Sequence, residues 1–227
     1  MASSSNPINE GVKVAYNQIA QRYTEWTKSS HAIRLSYLDM LLERLPSPTS
    51  GKNASVLELG CGAGIPCTQV LAARGNLAVI ANDISSAQLA IAAQHVPPSV
   101  RLLEQDMMDL EFGDGQLDAV IAMYSIIHLT REQQMVVLRR ISGWLKPGGW
   151  FLANFGAGED VGSTNPTWLG STDGIMHWSS WGAEKTSTIL RNFGFILEVC
   201  DVKATVEEYE EEREVPFLWV LAKKGGD

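Results

Sequence analysis

Cysteine and histidine are scarce in this 227-residue chain, with three of the first (Cys61, Cys67, Cys200) and four of the second. Neither set has the spacing of a disulfide framework or of metal ligands, so no metal site is expected. Basic runs are missing too. Eighteen Lys and Arg stand against 26 Asp and Glu, a net charge of −8, which argues against a nucleic-acid groove or an anionic membrane surface as the partner. No apolar run is long enough to span a bilayer. The start, Met1-Ala2-Ser3-Ser4-Ser5-Asn6-Pro7, lacks the basic and apolar segments of a secretory signal. The expectation is a soluble cytoplasmic protein, monomer or homodimer, that works on neither nucleic acid nor membrane. With 45% hydrophobic residues and no internal repeat, the length suits a single structural domain with a full-sized core.

What is present is an alternation of strand-like and helix-like segments. Residues 1–10 are polar and read as a mobile start. From Val12 to about Leu45, apolar and aromatic residues recur at helical spacing, predicting two helices broken near Thr27–Ser30. Pro46 to Asn53 is a breaker-rich linker. Strands are predicted at Ser55–Leu59, Leu77–Asn82, Val100–Glu104, Leu117–Ala122 and Trp150–Phe155, with helices at Cys67–Arg74, Ser85–His95 and Glu132–Trp144 between them. That order predicts an α/β, doubly wound, mostly parallel sheet. Gly156 to Trp181 shows little periodicity and is long for a connection, which is usually functional when ordered. A helix at Gly182–Phe193 and two strands, Ile196–Lys203 and Val215–Lys223, close the chain. The acidic stretch Glu207–Glu214 reads as a solvated connection between them.

The most telling feature is Val56-Leu57-Glu58-Leu59-Gly60-Cys61-Gly62-Ala63-Gly64. A buried strand runs into a turn whose alternate glycines allow positive φ and close approach of backbone to a bound molecule, the pattern of a nucleoside site. A dinucleotide loop wants G-x-G-x-x-G and helix N–H groups aimed at phosphate. Here the third glycine comes one residue early, Pro66 removes a donor, and Glu58 repels phosphate while attracting a cation. A nucleoside carrying an amino acid and a positive sulfur suits this better than a diphosphate.

Asp83 ends the second strand, 23 residues after Gly60. It is placed either to accept both ribose hydroxyls or to cap the helix that begins near Ser85. The glycine run, Asp83, the Asp106-Met107 pair after the third strand, the strand-four segment Asp118-Ala119-Val120-Ile121-Ala122-Met123 and the turn Leu145-Lys146-Pro147-Gly148-Gly149 occur in order. Together they resemble the class I S-adenosylmethionine-dependent methyltransferases. The resemblance implies a Rossmann-like seven-stranded sheet with a closing antiparallel hairpin, on residues 51–227, and an N-terminal helical lid on residues 1–50. It implies S-adenosyl-L-methionine as donor and S-adenosyl-L-homocysteine as product. Glu58, Gly60, Cys61, Gly62, Gly64, Asp83, Ile84, Asp106, Met107 and Met123 are then the donor-binding set, with Asp106 at the adenine amino group, Met107 on its face and Tyr16 of the lid touching the donor.

The implied activity is methyl transfer to a small-molecule acceptor by in-line displacement. A regulator or a non-methylating enzyme on the same fold is the alternative, since fold alone does not fix function. His128 is the candidate catalytic base, pocket-lining and structural roles remaining open. Tyr23, Tyr124, Trp168, His177 and Trp178 are candidate acceptor contacts; the tryptophans form either an aromatic wall or the packed base of a loop.

Overall fold

The computed structural model describes residues 6–209 and 211–226; residues 1–5 of the polar start lie outside them. Helix α1 (Pro7–Trp26) begins earlier than the expected mobile stretch allows. Asn6 caps it by accepting from the Ile8 N–H, and Pro7 takes the first position, where no N–H is needed. A 3-10 turn at Thr27–Ser30 separates it from α2 (His31–Leu42).

Among the described residues nine strands follow, interleaved with helices: β1 (Ala54–Leu59), α3 (Cys67–Ala73), β2 (Leu77–Asp83), α4 (Ser86–His95), β3 (Arg101–Glu104), β4 (Leu117–Ala122), α5 (Arg131–Trp144) and β5 (Leu145–Gly156). Then come β6 (Glu159–Asn165), β7 (Met176–Trp181), α6 (Ala183–Asn192), β8 (Phe195–Tyr209) and β9 (Glu211–Lys224). Seven strands form one sheet in the order β3-β2-β1-β4-β5-β9-β8, parallel except where β9 runs antiparallel to β5 and β8. The doubly wound sheet with its closing hairpin is therefore as the sequence implied.

Alternation along the strands sends side chains to two faces. Val56, Ala119, Ile121, Leu152 and Trp219 pack under α2, α3 and α4 through Leu38, Leu41, Leu71 and Leu89. Leu57, Val120, Ala122, Phe151 and Val220 pack under α5 and α6 through Leu138, Ile141 and Leu190. A third cluster joins α1 to the segment after β6, through Val12, Ala15, Tyr16, Ile19, Trp168, Leu169 and Met176.

Two expectations need correction. The acidic stretch Glu207–Glu214 is not a separate connection: β8 and β9 pair through it, from Val206 opposite Glu214 to Tyr209 opposite Glu211, with residue 210 outside the described residues. The segment after β5 is not structureless. It holds the two-stranded ribbon β6–β7, which sequence hid because β6 is mostly exposed and rich in Gly, Ser and Thr. Among the described residues no helix is long and apolar enough to cross a membrane.

Candidate active site

The strand order reverses where β1 pairs with β2 on one side and β4 on the other, and a crevice opens beyond the strand ends at such a point. Gly60 sits there with φ 68°, and a β-carbon on it would lie 2.5 Å from that of Ser125, so the loops after β1 and β4 meet only because this residue has none. The loop after β4 is itself held tightly. Tyr124 has a positive φ of 54°, costly for a bulky residue, and its N–H donates to Asn154 Oδ1 at 2.6 Å.

A narrow slot follows this crevice under α1. Its wall includes Asn9, Val12, Tyr16 and Tyr23 from the helix, Gly60 and Gly62 after β1, Asp83 and Ile84 at the end of β2, and Asp106 and Met107 after β3. Tyr124, Ser125 and His128 after β4 complete it, with Gln88 of α4. Asp83 does not cap α4, since Ser85 does, accepting from the Gln88 N–H at 3.1 Å. The Asp83 carboxylate instead accepts from Gly62 N–H and Ser85 N–H, each at 2.8 Å, which ties the glycine turn to the end of β2. Two oxygens offer about four acceptor positions, so capacity remains toward the slot. Burial raises its pKa to about 6, against the opposing pull of those N–H groups.

Glu58, Cys61, Gly64 and Met123 do not line the slot. The Glu58 carboxylate accepts from Thr68 Oγ1 at 2.6 Å, and burial raises its pKa to about 7. The carboxylate expected to attract a cation is thus buried behind the glycine turn and held by Thr68 of α3. Gly64 packs on Ala92 and Val96; Met123 lies in the core beside the Cys67 thiol, 3.9 Å away. Cys61 is buried, and burial raises its thiol pKa well above the ordinary value.

His128 is buried at the far end of the slot. Its Nδ1 lies 2.8 Å from the His177 carbonyl, which can only accept, so Nδ1 carries the proton. Burial lowers the imidazole pKa to about 4, leaving the ring neutral and Nε2 free to accept. The donor is the Tyr16 hydroxyl, at 2.8 Å. Burial raises the Tyr16 pKa well above the usual phenol value, so this proton stays on oxygen.

Beyond this pair lies a second, wider cavity of about 820 Å³, which shares Tyr16, Tyr23, Tyr124 and His128 with the slot. Trp26, Trp168, Trp178 and Phe217 supply much of its remaining wall, with the β5–β6 turn and Ser179 and Ser180 of β7. His177 is absent from both walls; its carbonyl holds His128 and its Nδ1 donates back to the His128 carbonyl at 3.1 Å. Sequence reasoning missed Asn9, Gln88, Ser125, Trp26 and Phe217. None carries a motif, and each reaches the site through the fold alone.

Fold and slot together define a nucleoside-binding, doubly wound α/β protein. Residues 56–149 match the family model described as a methyltransferase domain. The Bacillus subtilis (strain 168) protein YqeM, which carries a methyltransferase name, is 23% identical over 92% of this chain and 81% of its own. The tRNA N(3)-methylcytidine methyltransferase trm141 of Schizosaccharomyces pombe is 26% identical over 42% of this chain and 41% of its own. The Burkholderia thailandensis 1,6-didemethyltoxoflavin-N1-methyltransferase, solved with 1,6-didemethyltoxoflavin and S-adenosylhomocysteine bound, superposes with a TM-score of 0.65. It is 19% identical, with coverage of 100% of this chain and 93% of that one. Residues 56–149 are thus a methyltransferase domain, and the fold is that of the class I S-adenosylmethionine-dependent methyltransferases.

The slot's own chemistry fits S-adenosylmethionine. Asn9 Oδ1, both ends of the Gln88 amide and Ser125 Oγ are buried and have no hydrogen-bond partner among the described residues. Unpaired buried polar atoms are costly, and a ligand bearing ribose hydroxyls, ring nitrogens and an amino acid supplies partners for them.

Proposed function

We propose that this methyltransferase acts in the cytoplasm on a small-molecule acceptor with a flat, largely apolar body, held in the second cavity. The observation that carries the reading is the wall shared by slot and cavity: a donor in one and an acceptor in the other meet at Tyr16 and His128. Tyr16, Tyr23, Trp26, Tyr124, Trp168, Trp178 and Phe217 give that cavity an aromatic side, as suits stacking on a planar ligand. Among the described residues no lysine or arginine lines it, while Glu159 and Asp160 do. A phosphate backbone is thereby disfavoured. The Burkholderia relative shows that a small acceptor and the product can share this fold.

When bound, S-adenosylmethionine supplies an electrophilic methyl on a positive sulfur. Asp83 holds the ribose, Asp106 and Met107 the adenine, and Gly60 and Gly62 let the backbone approach. Helix α1 closes the slot: Asn17 Oδ1 accepts from Ser85 Oγ at 2.7 Å and from Ala87 N–H at 3.2 Å, so the lid is pinned to α4 while Tyr16 faces the reacting end. Pinning and water exclusion hold donor and acceptor in near-attack geometry, the main lever for a displacement. His128 acts as a positioning residue. By accepting the Tyr16 hydroxyl hydrogen bond at Nε2 it fixes the O–H direction and leaves the Tyr16 lone pairs oriented to receive an O–H or N–H from the incoming molecule. An imidazole of pKa about 4 is a weak proton sink, which favours an acceptor atom already nucleophilic over one needing prior deprotonation.

The test is to incubate the protein with methyl-labelled donor and a cell extract, then separate small molecules from precipitated protein and RNA. Label in the small-molecule fraction supports the reading; label confined to RNA or protein overturns it.

A further inference from the structure

Asn9 stands on the first turn of α1, is only 4% exposed, and reaches across the slot to the end of β3. Its Nδ2 donates to Asp106 Oδ2 at 2.6 Å. The other Asp106 oxygen accepts from the Met108 N–H at 2.9 Å. A carboxylate only accepts, so Asp106 fixes the amide: Nδ2 must face it, and Oδ1 is turned elsewhere. That Oδ1 is buried and lacks a partner among the described residues.

The slot beside Met107 thus presents two acceptors of different origin, a carboxylate oxygen and an amide oxygen whose orientation is locked. A single nitrogen bearing two hydrogens satisfies both at once. A carbonyl in the same place would face both oxygens, and turning the Asn9 amide to greet it would set Oδ1 against the Asp106 carboxylate. From this juxtaposition we propose that Asn9 reads the 6-amino group of the donor's adenine, with Asp106 as the group that sets its amide. The proposal rests on the reading of Asp106 and Met107 as the adenine end of the slot. It makes Asn9 a specificity determinant that excludes the 6-oxo base.

The test is calorimetric binding of S-adenosylhomocysteine and S-inosylhomocysteine, its 6-oxo counterpart, to the wild type, Asn9→Leu and Asp106→Ala. Wild type should prefer the 6-amino ligand strongly. Asn9→Leu should bind that ligand on the order of 10-fold more weakly, the usual worth of one hydrogen bond. It should bind the 6-oxo ligand as well as before or better, so the preference shrinks, and this retained binding also shows the variant is folded. An undiminished preference in Asn9→Leu, with Asp106→Ala weakening the 6-amino ligand, would overturn the role of Asn9 alone. Unchanged affinity in Asp106→Ala would place adenine elsewhere and overturn both readings.

Discussion

The slot proposed for the donor and the wider cavity proposed for the acceptor share four residues and differ in much else. The slot is narrow, lies at the ends of four adjacent strands, and sets a few polar groups with fixed partners into a mostly apolar wall: Asp83 on two N–H groups, Asp106 on Asn9 and Met108. The cavity is wide, mixes aromatic side chains with Glu159, Asp160 and a run of Ser, Thr and Asn, and is assembled from α1, the β6–β7 ribbon and the start of β9's buried stretch at Phe217. On the proposed reading, one half recognises a fixed molecule by hydrogen bonds and the other offers area and shape. Directional contacts demand particular residues at particular strand ends, whereas an aromatic wall can be met by many sequences. The difference teaches that identity of the donor and identity of the acceptor are written in different kinds of chemistry.

The largest expected effect breaks the donor half. Asp83→Ala should weaken S-adenosylhomocysteine by about 2–3 kcal/mol, on the order of 100-fold, as bonds to a charged acceptor are lost. Because Asp83 also holds the Gly62 and Ser85 N–H groups, the thermal midpoint should fall too. Calorimetry and melting curves check both. A change in neither would mean that Asp83 does not serve the site.

The next effect is one of pH. Ribose hydroxyls need an ionised acceptor, and Asp83 in the free protein titrates near 6. Product affinity should therefore fall by up to about 10-fold per unit below that pH and stay level in Asp83→Asn. The sign for stability is opposite. A carboxyl whose pKa rises from 3.8 to about 6 on folding stabilises the free protein below 3.8 and loses that contribution as pH climbs through 6. Glu58 acts the same way between 4.5 and about 7. His128, lowered from 6.5 to about 4, works against them by favouring the folded state as pH rises through that window. Melting curves across pH 4–7 in Asp83→Asn should lack the first contribution.

The smallest effect sharpens the other half. Trp178 is half-buried and meets His128 and Trp168 at ring-centroid distances of 6.0 and 5.5 Å. Trp178→Ala should raise the acceptor KM by about 10-fold, the scale of an aromatic contact with its buried area, with product affinity changed less than about twofold. Loss of product affinity instead would show that the two halves are not separable.

This division also explains what could be read from sequence. The sheet, its helices and the glycine turn were legible because hydrophobic period and glycine spacing are local. Asp83 and Asp106 were legible as slot residues because one ends β2 and the other follows β3 by two residues. Glu58 was placed correctly in the chain but not in its contact, since nothing local reveals that Thr68, ten residues on, takes its carboxylate. Asn9 lay in a start read as mobile, and its meeting with Asp106 spans 97 positions. The β6–β7 ribbon gave no alternating apolar signal, because β6 is largely exposed. Acceptor-side residues such as Trp26 and Phe217 converge only once the lid and the hairpin are folded.

The shared wall is where both halves must cooperate, and the hydrogen-bonded Tyr16 and His128 stand in it. The most direct measurement is single-turnover methyl transfer from labelled donor to the small-molecule pool, beside S-adenosylhomocysteine affinity, in Tyr16→Phe and His128→Gln. Expected is a rate lower by about 10- to 100-fold in both variants, the lower part of what proton-handling groups contribute, with product affinity within about threefold of wild type. Full retention of rate in both variants, or a loss confined to product affinity, would contradict the placing of donor and acceptor on either side of this pair.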